Sequence, residues 1–268
     1  MLGSSGIFVK ISESSPSLIA FYRSFFALPF LYVWMKFEER NNLHHISWDK
    51  RNIFFLMLGG FCFALDMSIW NWSLSFTSVA NATLMANTAP VFVVIFGILF
   101  LGYRIELSFV FTLLLALMGV FLVVLPGEKG MIFGDSLGLV AAIFYAGYIL
   151  SIKDLTNFLR PAKTLFLVTI ITTLCLLPIS IVEAKDLSIN LSEFLILFSY
   201  AIFSQTIAQG MITAGISKVS AHLSSLVLLM QPVAAAVYGW FLLEELLSPF
   251  QVFGGFIVLT AIYMASRK

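Results

Sequence analysis

The chain has 268 residues, of which 60% are hydrophobic and only 11% are charged, whereas soluble domains contain about 45–50% and about 25%. A globular interior cannot absorb such an apolar excess, because a soluble domain still has a large surface to cover. The composition therefore indicates a chain embedded in lipid, and the net charge of +1 provides none of the basic surface that a nucleic-acid partner requires.

Apolar segments long enough to cross a bilayer recur along the whole chain, since about 20 helical residues span about 30 Å of hydrocarbon. Lipid-facing strands would alternate apolar and polar residues, and these segments do not, so an all-α polytopic membrane protein is predicted. The complete spans are predicted at about Pro16–Met35, Asn52–Ser73, Ala80–Leu101, Leu107–Leu125, Asp135–Lys153, Lys163–Val182, Leu191–Ala214, Ser220–Leu243 and Pro249–Ser266.

A further span is predicted only in part, at the beginning of the chain. Residues 1–11 would reach about 16 Å as a helix, which is half a bilayer. The corresponding helix of the second half begins at about Asp135, about nine residues earlier when Lys10 is aligned with Lys153. A charged α-amino group near the bilayer midplane is costly. We therefore expect the first helix to be N-terminally truncated in this chain, through a wrongly chosen start codon, a genuine fragment or a degraded gene.

The two halves of the chain repeat each other. Pro90 and Pro232 stand 142 residues apart, and at the same offset Leu101-Gly102-Tyr103 aligns with Leu243-Glu244-Glu245. The repeats are predicted at residues 1–126 and 134–268, each with five helices once the first helix is completed. Because five is odd, the second repeat would insert with the opposite orientation, as in transporters built around a central site.

The basic residues predict the orientation, since cytoplasmic loops carry an excess of Lys and Arg. With a cytoplasmic C-terminus in the cell (inner) membrane, three basic residues fall outside: Lys10, Lys129 and Lys185. Eleven fall inside: Lys36, Arg40, Lys50, Arg51, Arg104, Lys153, Arg160, Lys163, Lys218, Arg267 and Lys268.

In this order and spacing, several segments together resemble the drug/metabolite transporter superfamily, of the EamA type. They are LGSSGIFVK, AFYRSFFALPF, FALDMSIWNWSLSFTSVANATLMANTAPVF, FGDSLGLVAAIFYAGYI, SQTIAQGMI and VSAHLSSLVLLMQPV. The resemblance implies ten helices, cytoplasmic termini, a central substrate cavity and peripheral helices at the end of each repeat. The chain departs from the family pattern in its incomplete first helix and in Gly102-Tyr103, where Gly-Glu is usual.

Arg23 and Asp66 are the two charged residues set well inside predicted spans, where an unpaired charge costs several kcal/mol. They lie about 9 Å and about 10 Å from the outer ends of their helices. They could form an ion pair or a divided site for a zwitterionic substrate. The alternatives are that Arg23 extends to the interface and that Asp66 bonds a neighbouring helix. A carboxylate at this depth also raises the hypothesis of proton coupling.

Further polar and aromatic side chains are candidates for the same cavity. Trp70 shares the helix face of Asp66, Asn87 lies near the middle of its span, and Gln205 and Gln209 are four residues apart on one face. Amides inside a membrane need partners, so bonding between helices is the alternative for Asn87, and small-residue packing involving Gly210 is the alternative for the two glutamines. Pro90 and Pro232 are predicted mid-helix, where each removes a backbone donor, and they are the hinge candidates.

The motifs of common hydrolases, metalloenzymes and nucleotide-binding proteins do not occur, so we predict no catalytic residues, no metal site and no cofactor. The favoured function is a secondary transporter of a small polar or amphipathic metabolite, such as an amino acid-like solute, working by alternating access. An intramembrane enzyme, a lipid-handling scaffold and an inactive truncated remnant are the alternatives. Substrate, direction and oligomeric state stay open, because a fold does not specify them.

Overall fold

A computed structural model of the protein describes residues 5–40, 48–124, 132–184, 188–242 and 248–267. Within these ranges the chain is almost entirely helical and contains no strand, which confirms the predicted all-α class. Eight helices or joined helix segments are at least 18 residues long and apolar enough to cross a membrane, and Ala221–Ala234 forms a shorter apolar helix.

The helices follow one another with short connections. In the first half they are α1 (Ser5–Ile11), α2 (Pro16–Glu39), α3 (Lys50–Phe76), α4 (Val79–Ala86), α5 (Ala89–Leu101) and α6 (Leu107–Val124). In the second half they are α7 (Ile132–Leu155), α8 (Pro161–Ala184), α9 (Leu191–Tyr200), a π-helical segment (Ala201–Ala208), α10 (Gln209–Ile216), α11 (Ala221–Leu228), α12 (Met230–Leu242) and α13 (Pro249–Ser266).

The predicted spans coincide with these helices to within about four residues at the described ends. Local capping explains several of the beginnings. The Asp49 side chain accepts a hydrogen bond from the Asn52 amide before α3, and Ser248 and Gln251 form a capping box before α13, so backbone donors at the helix N-termini are satisfied. The predicted ends at Leu125 and Leu243, and the Glu244-Glu245 pair, lie outside the described residues.

Two predicted spans are each divided into two helical segments close to the proline that was predicted inside the span. Helix α4 ends at Ala86 and α5 begins at Ala89, so Pro90 lies in the first turn of α5. Helix α11 ends at Leu228, and Pro232 is the third residue of α12. A first turn tolerates proline because its N–H would have no intrahelical partner there. Each proline therefore lies within its span, directly after a short interruption of the helix, and its role as a hinge stays a prediction.

The span predicted at Leu191–Ala214 contains a π-helical segment between α9 and α10. Pi-helical turns occur mostly within α-helices and often at functional sites. Ser204, Gln205 and Gln209, in or next to this segment, are buried. The segment therefore turns polar side chains toward the interior of the bundle.

Helix α3 packs against α2, α7 and α8, and α6 packs against α13. Small residues permit these close approaches. A Cβ atom built on Gly60 would lie 2.4 Å from Ile171 of α8, and one on Gly254 would lie 2.6 Å from the Gly119 carbonyl oxygen of α6. The backbones of α6 and α13 therefore meet through Gly119 and Gly254.

Gly254→Ala should lower thermal stability, because overpacking a close contact costs about 1–3 kcal/mol and helix propensity returns only about 1 kcal/mol. We expect the melting temperature in detergent to fall by at least about 2 °C. Gly215→Ala is the matched control, since its Cβ would have no neighbour within 4 Å, and it should leave the melting temperature unchanged or raised. Equal melting temperatures for the two variants would contradict the close α6–α13 contact.

Candidate functional site

Helices of both halves surround a central chamber of about 580 Å³. Helices α1 to α6 contribute from the first half, and α7 and α10 to α13 contribute from the second. The chamber extends to one end of the bundle, where it is lined by Val79 at the start of α4, Val124 at the end of α6 and Gln251 near the start of α13. A small solute could enter the chamber from this end.

Seven of the eight residues predicted from the sequence line this chamber. They are Arg23, Asp66, Trp70, Asn87, Pro90, Gln209 and Pro232. The eighth, Gln205, is fully buried and contacts Arg23 from the protein side. The structure therefore brings all eight into one region, with Gln205 behind the chamber wall.

The guanidinium group of Arg23 is held by neutral partners. Its Nε donates to Oε1 of Gln205 at 3.2 Å, and its Nη1 donates to the hydroxyl of Tyr200 at 3.0 Å. The guanidinium carbon also lies 5.0 Å from the centroid of the Tyr200 ring and 5.9 Å from that of Phe63, distances at which cation–π attraction operates. Arg23 is only 7% exposed, so it is fixed in the chamber wall and does not extend to the interface.

Gln205 is itself oriented by a second contact. Its Nε2 donates to Oγ1 of Thr169 at 3.3 Å, and Thr169 and Gln205 are both fully buried. The amide must therefore present its oxygen to Arg23. This arrangement orients the guanidinium without neutralising its charge, so a positive charge faces the chamber.

The Asp66 carboxylate also faces the chamber. Among the described residues it has neither a hydrogen-bond donor nor an ion-pair partner. The ion pair between Arg23 and Asp66 considered from the sequence is not formed, since their charged atoms do not come within 4.0 Å of each other. The charge of Arg23 nevertheless acts on Asp66 electrostatically. The two residues thus form a divided pair of opposite charges on one cavity.

Aromatic side chains form part of the wall of the same chamber. Phe63 and Trp70 from α3 and Tyr145 from α7 line it. Behind them Tyr148 stacks on Phe63, with ring centroids 4.2 Å apart, and lies 5.8 Å from the ring of Tyr145. Such rings offer large apolar surfaces with fixed geometry. Phe63, Tyr145 and Tyr148 could not be predicted from the sequence as wall residues, because Phe and Tyr are common in lipid-facing helices.

Gln209 is a wall residue whose amide is already engaged. Its Nε2 donates to the hydroxyl of Tyr148 at 2.8 Å. Asn87 likewise uses its Nδ2 to donate to the Thr83 carbonyl at 2.7 Å, a bond within its own span and not to another helix. Since only the donors are used, the amide oxygens of Gln209 and Asn87 are the groups that a chamber ligand can address as acceptors.

The opposite end of the bundle is closed by contacts between the halves. Arg51 of α3 pairs with Asp154 of α7 across the two halves, and within the second half Nζ of Lys153 donates to the Ile216 carbonyl at the end of α10. Tyr103 lies beside the Arg51–Asp154 pair, and burial, followed by the charge of Asp154, raises the pKa of its phenol. The phenol therefore stays neutral. The described structure is open at one end of the chamber and closed at the other.

Comparisons with known proteins agree with this architecture. The model of the family described as the EamA-like transporter family matches residues 1–125 and 132–267. The chain is 24% identical over 266 residues to the pseudopaline exporter CntI of Pseudomonas aeruginosa, covering 96% of this chain and 89% of that protein. It is 26% identical over 268 residues to an uncharacterized transporter of Archaeoglobus fulgidus, covering 99% and 82%.

A solved crystal structure aligns with 99% of this chain and 93% of its own, with a TM-score of 0.77 and 14% sequence identity. That similarity establishes the fold alone. The family and the named relatives point to a membrane transporter of small solutes and not to an enzyme.

Proposed function

The chain belongs to the EamA-like transporter family, and from that membership and the chamber we propose that it is a secondary carrier for a small zwitterionic or amphipathic metabolite, such as an amino acid-like solute. The observation that carries the proposal is the divided pair of charges. Arg23 has only neutral partners and Asp66 has none among the described residues, yet both face one chamber of about 580 Å³. Unpaired buried charges are costly, so a ligand that brings complementary charges stabilises both.

In this arrangement the substrate carboxylate binds Arg23 and its ammonium group binds Asp66. The apolar part of the substrate lies on the rings of Phe63, Tyr145 and Trp70, which line the same cavity. Charge-assisted hydrogen bonds fix the orientation, and the aromatic surfaces accept side chains of different shape. A zwitterion matches this wall better than a simple cation, anion or polyol.

The transport cycle we propose is alternating access between two inverted repeats, residues 1–126 and 134–268. The end of the chamber beside Val124 and Gln251 is open, and the end beyond the Arg51–Asp154 contact is closed. In this proposal the protein lies in the inner membrane with its C-terminus in the cytoplasm, so the open end of the chamber faces outward. Opening of the Arg51–Asp154 end and closure of the other would then deliver the substrate to the opposite face.

A ligand screen tests this function. The purified chain is mixed with zwitterionic amino acids, with the matching amines and carboxylic acids, and with neutral polyols. We expect zwitterions to raise the melting temperature and to change the tryptophan fluorescence, because Trp70 lines the chamber, and Trp70→Phe should remove most of the fluorescence change. The same compounds should exchange across proteoliposome membranes, followed in both directions because one relative is named as an exporter.

Transport of polyols in preference to every zwitterion would contradict the proposed substrate class. Stabilisation by zwitterions without any exchange would contradict the transport function and would indicate a protein that only binds these solutes. Trp70→Phe is the matched control for the stabilisation and exchange measurements, since it keeps an aromatic ring in the chamber wall and removes only the fluorescent indole.

A further inference from the structure

A second cavity lies on the outside of the bundle, away from the chamber. It is a groove of about 500 Å³ between α2, α8 and α9. Pro29, Phe30 and Tyr32 of α2 face Phe166 of α8 and Phe198 of α9 across it. Phe30 is 36% exposed and Tyr32 is 47% exposed. Because this surface faces hydrocarbon, its natural occupant is an acyl chain.

Proline at position 29 gives the groove a structural origin. It lies inside α2 and has no N–H for the carbonyl of Phe25, so the helix loses one backbone bond at this point. Phe25 also lines the groove. Proline inside a helix is a common cause of a bend, and a bend at this point would leave room between α2 and the helices that pack on it.

Basic residues stand at one mouth of the groove. Nζ of Lys36 lies 5.5 Å from the centroid of the Tyr32 ring, and the rings of Tyr32 and Phe166 are 5.7 Å apart. Lys163 precedes Phe166 by three residues on α8, so it stands one turn from the same aromatic contact. Lys36 on α2 and Lys163 on α8 therefore lie at the same end of the groove, which is its mouth.

The positive charge at this mouth exceeds the negative charge. Lys36 and Lys163 share a single carboxylate, that of Glu39, at 3.4 Å and 2.7 Å. The guanidinium group of Arg160 donates to the main-chain carbonyl of Glu38 and forms no ion pair within the described part of the chain. The Glu38 carboxylate accepts from the Ala162 amide, so three cations stand beside two carboxylates at this mouth. An anionic group at the mouth would complete the pairing of these three cations.

We propose that this groove binds an anionic phospholipid of the surrounding bilayer, with an acyl chain on the aromatic walls and the phosphate group at Lys36 and Lys163. The order of groups matches a lipid molecule, since apolar surface leads along the helices to a cationic mouth at the end of α2. Basic pockets between membrane helices bind acidic headgroups in this way. The site is separate from the chamber, and it does not depend on the proposed transport function.

Native mass spectrometry of the purified chain with dioleoyl phosphatidylglycerol and dioleoyl phosphatidylcholine tests the proposal. We expect at least about 10-fold preferential retention of phosphatidylglycerol, since each basic residue near a membrane surface adds measurably to acidic-lipid binding. The double variant Lys36→Gln/Lys163→Gln should lose this preference. Glu39→Gln should increase it, because the two lysines would no longer share a carboxylate.

The matched control is Lys50→Gln/Lys218→Gln, which removes the same charge from two exposed residues outside the groove and should keep the preference. Equal retention of the two lipids by the unaltered chain would overturn the proposal. So would an equal loss of preference in both double variants, which would indicate attraction by overall charge alone. Melting temperatures measured in parallel verify that every variant is folded.

Discussion

Arg23→Gln is expected to reduce transport of a zwitterionic substrate by at least about 30-fold in kcat/KM, because removing one partner of a buried charged contact costs about 2–5 kcal/mol. The structure provides the reason. Gln205 and Tyr200 hold the guanidinium group in place but leave its charge uncompensated. A carboxylate in the chamber would therefore supply the missing counter-charge. The loss should appear mainly in binding, as a raised KM.

The specificity of the variant separates a binding role from a structural one. The measurement is exchange of the zwitterion and of its analogue without the carboxylate, in proteoliposomes containing the unaltered chain or Arg23→Gln. We expect the preference for the zwitterion to fall to near one in the variant, because only the carboxylate contact is lost. If the preference survives while both rates fall equally, then Arg23 is a structural residue.

Thr169→Val is the matched control for the surroundings of Arg23. It removes the hydroxyl that accepts from Gln205 while leaving the guanidinium charge and its contact with Tyr200 in place. Since Gln205 would then be free to turn, we expect a KM increase well below that of Arg23→Gln, with the preference for the zwitterion retained. A melting temperature close to that of the unaltered chain confirms folding in each case.

The membrane spans could be predicted from the sequence because a helix that crosses the bilayer must be apolar over its whole length. An apolar run of about 20 residues bounded by charges has few other uses, and most described helices begin and end where such runs do. Arg23 and Asp66 could be found for the same reason, since a charge inside a span stands out against lipid. The breaks after Ala86 and Leu228 were not predicted, because proline suits both a kink and a first turn.

The partners of Arg23 could not be predicted from one sequence. Tyr200 and Gln205 follow it by 177 and 182 residues, and no local spacing connects positions so far apart. The π-helical segment at Ala201–Ala208 could not be predicted from the sequence either, because a π-helix differs from an α-helix only in which carbonyl each backbone N–H contacts. Tyr145 was missed because its ring resembles the many aromatic residues that face lipid.

From the arrangement around Asp66 we predict that transport is coupled to protons. Its carboxylate faces the chamber without a donor from the described residues, whereas most buried polar groups in proteins are hydrogen-bonded. Only the substrate, water or a proton can then compensate it as the chamber opens and closes. The same residue could thus alternate between holding a proton and holding the ammonium group of the substrate.

Asp66→Asn is therefore expected to abolish substrate accumulation driven by a pH gradient, because asparagine has no carboxylate to protonate. Exchange of substrate between the two faces should persist at a reduced rate, since the amide oxygen still accepts a hydrogen bond from the ammonium group. The measurement compares accumulation under an imposed pH gradient with exchange at equal pH, in the same proteoliposomes. Asp135→Asn is the matched control, because Asp135 accepts from Thr77 Oγ1 at 2.7 Å and does not line the chamber. Gradient-driven accumulation that is equal in Asp66→Asn and Asp135→Asn would remove Asp66 from the coupling step, since the two variants make the same chemical change and only one makes it in the chamber.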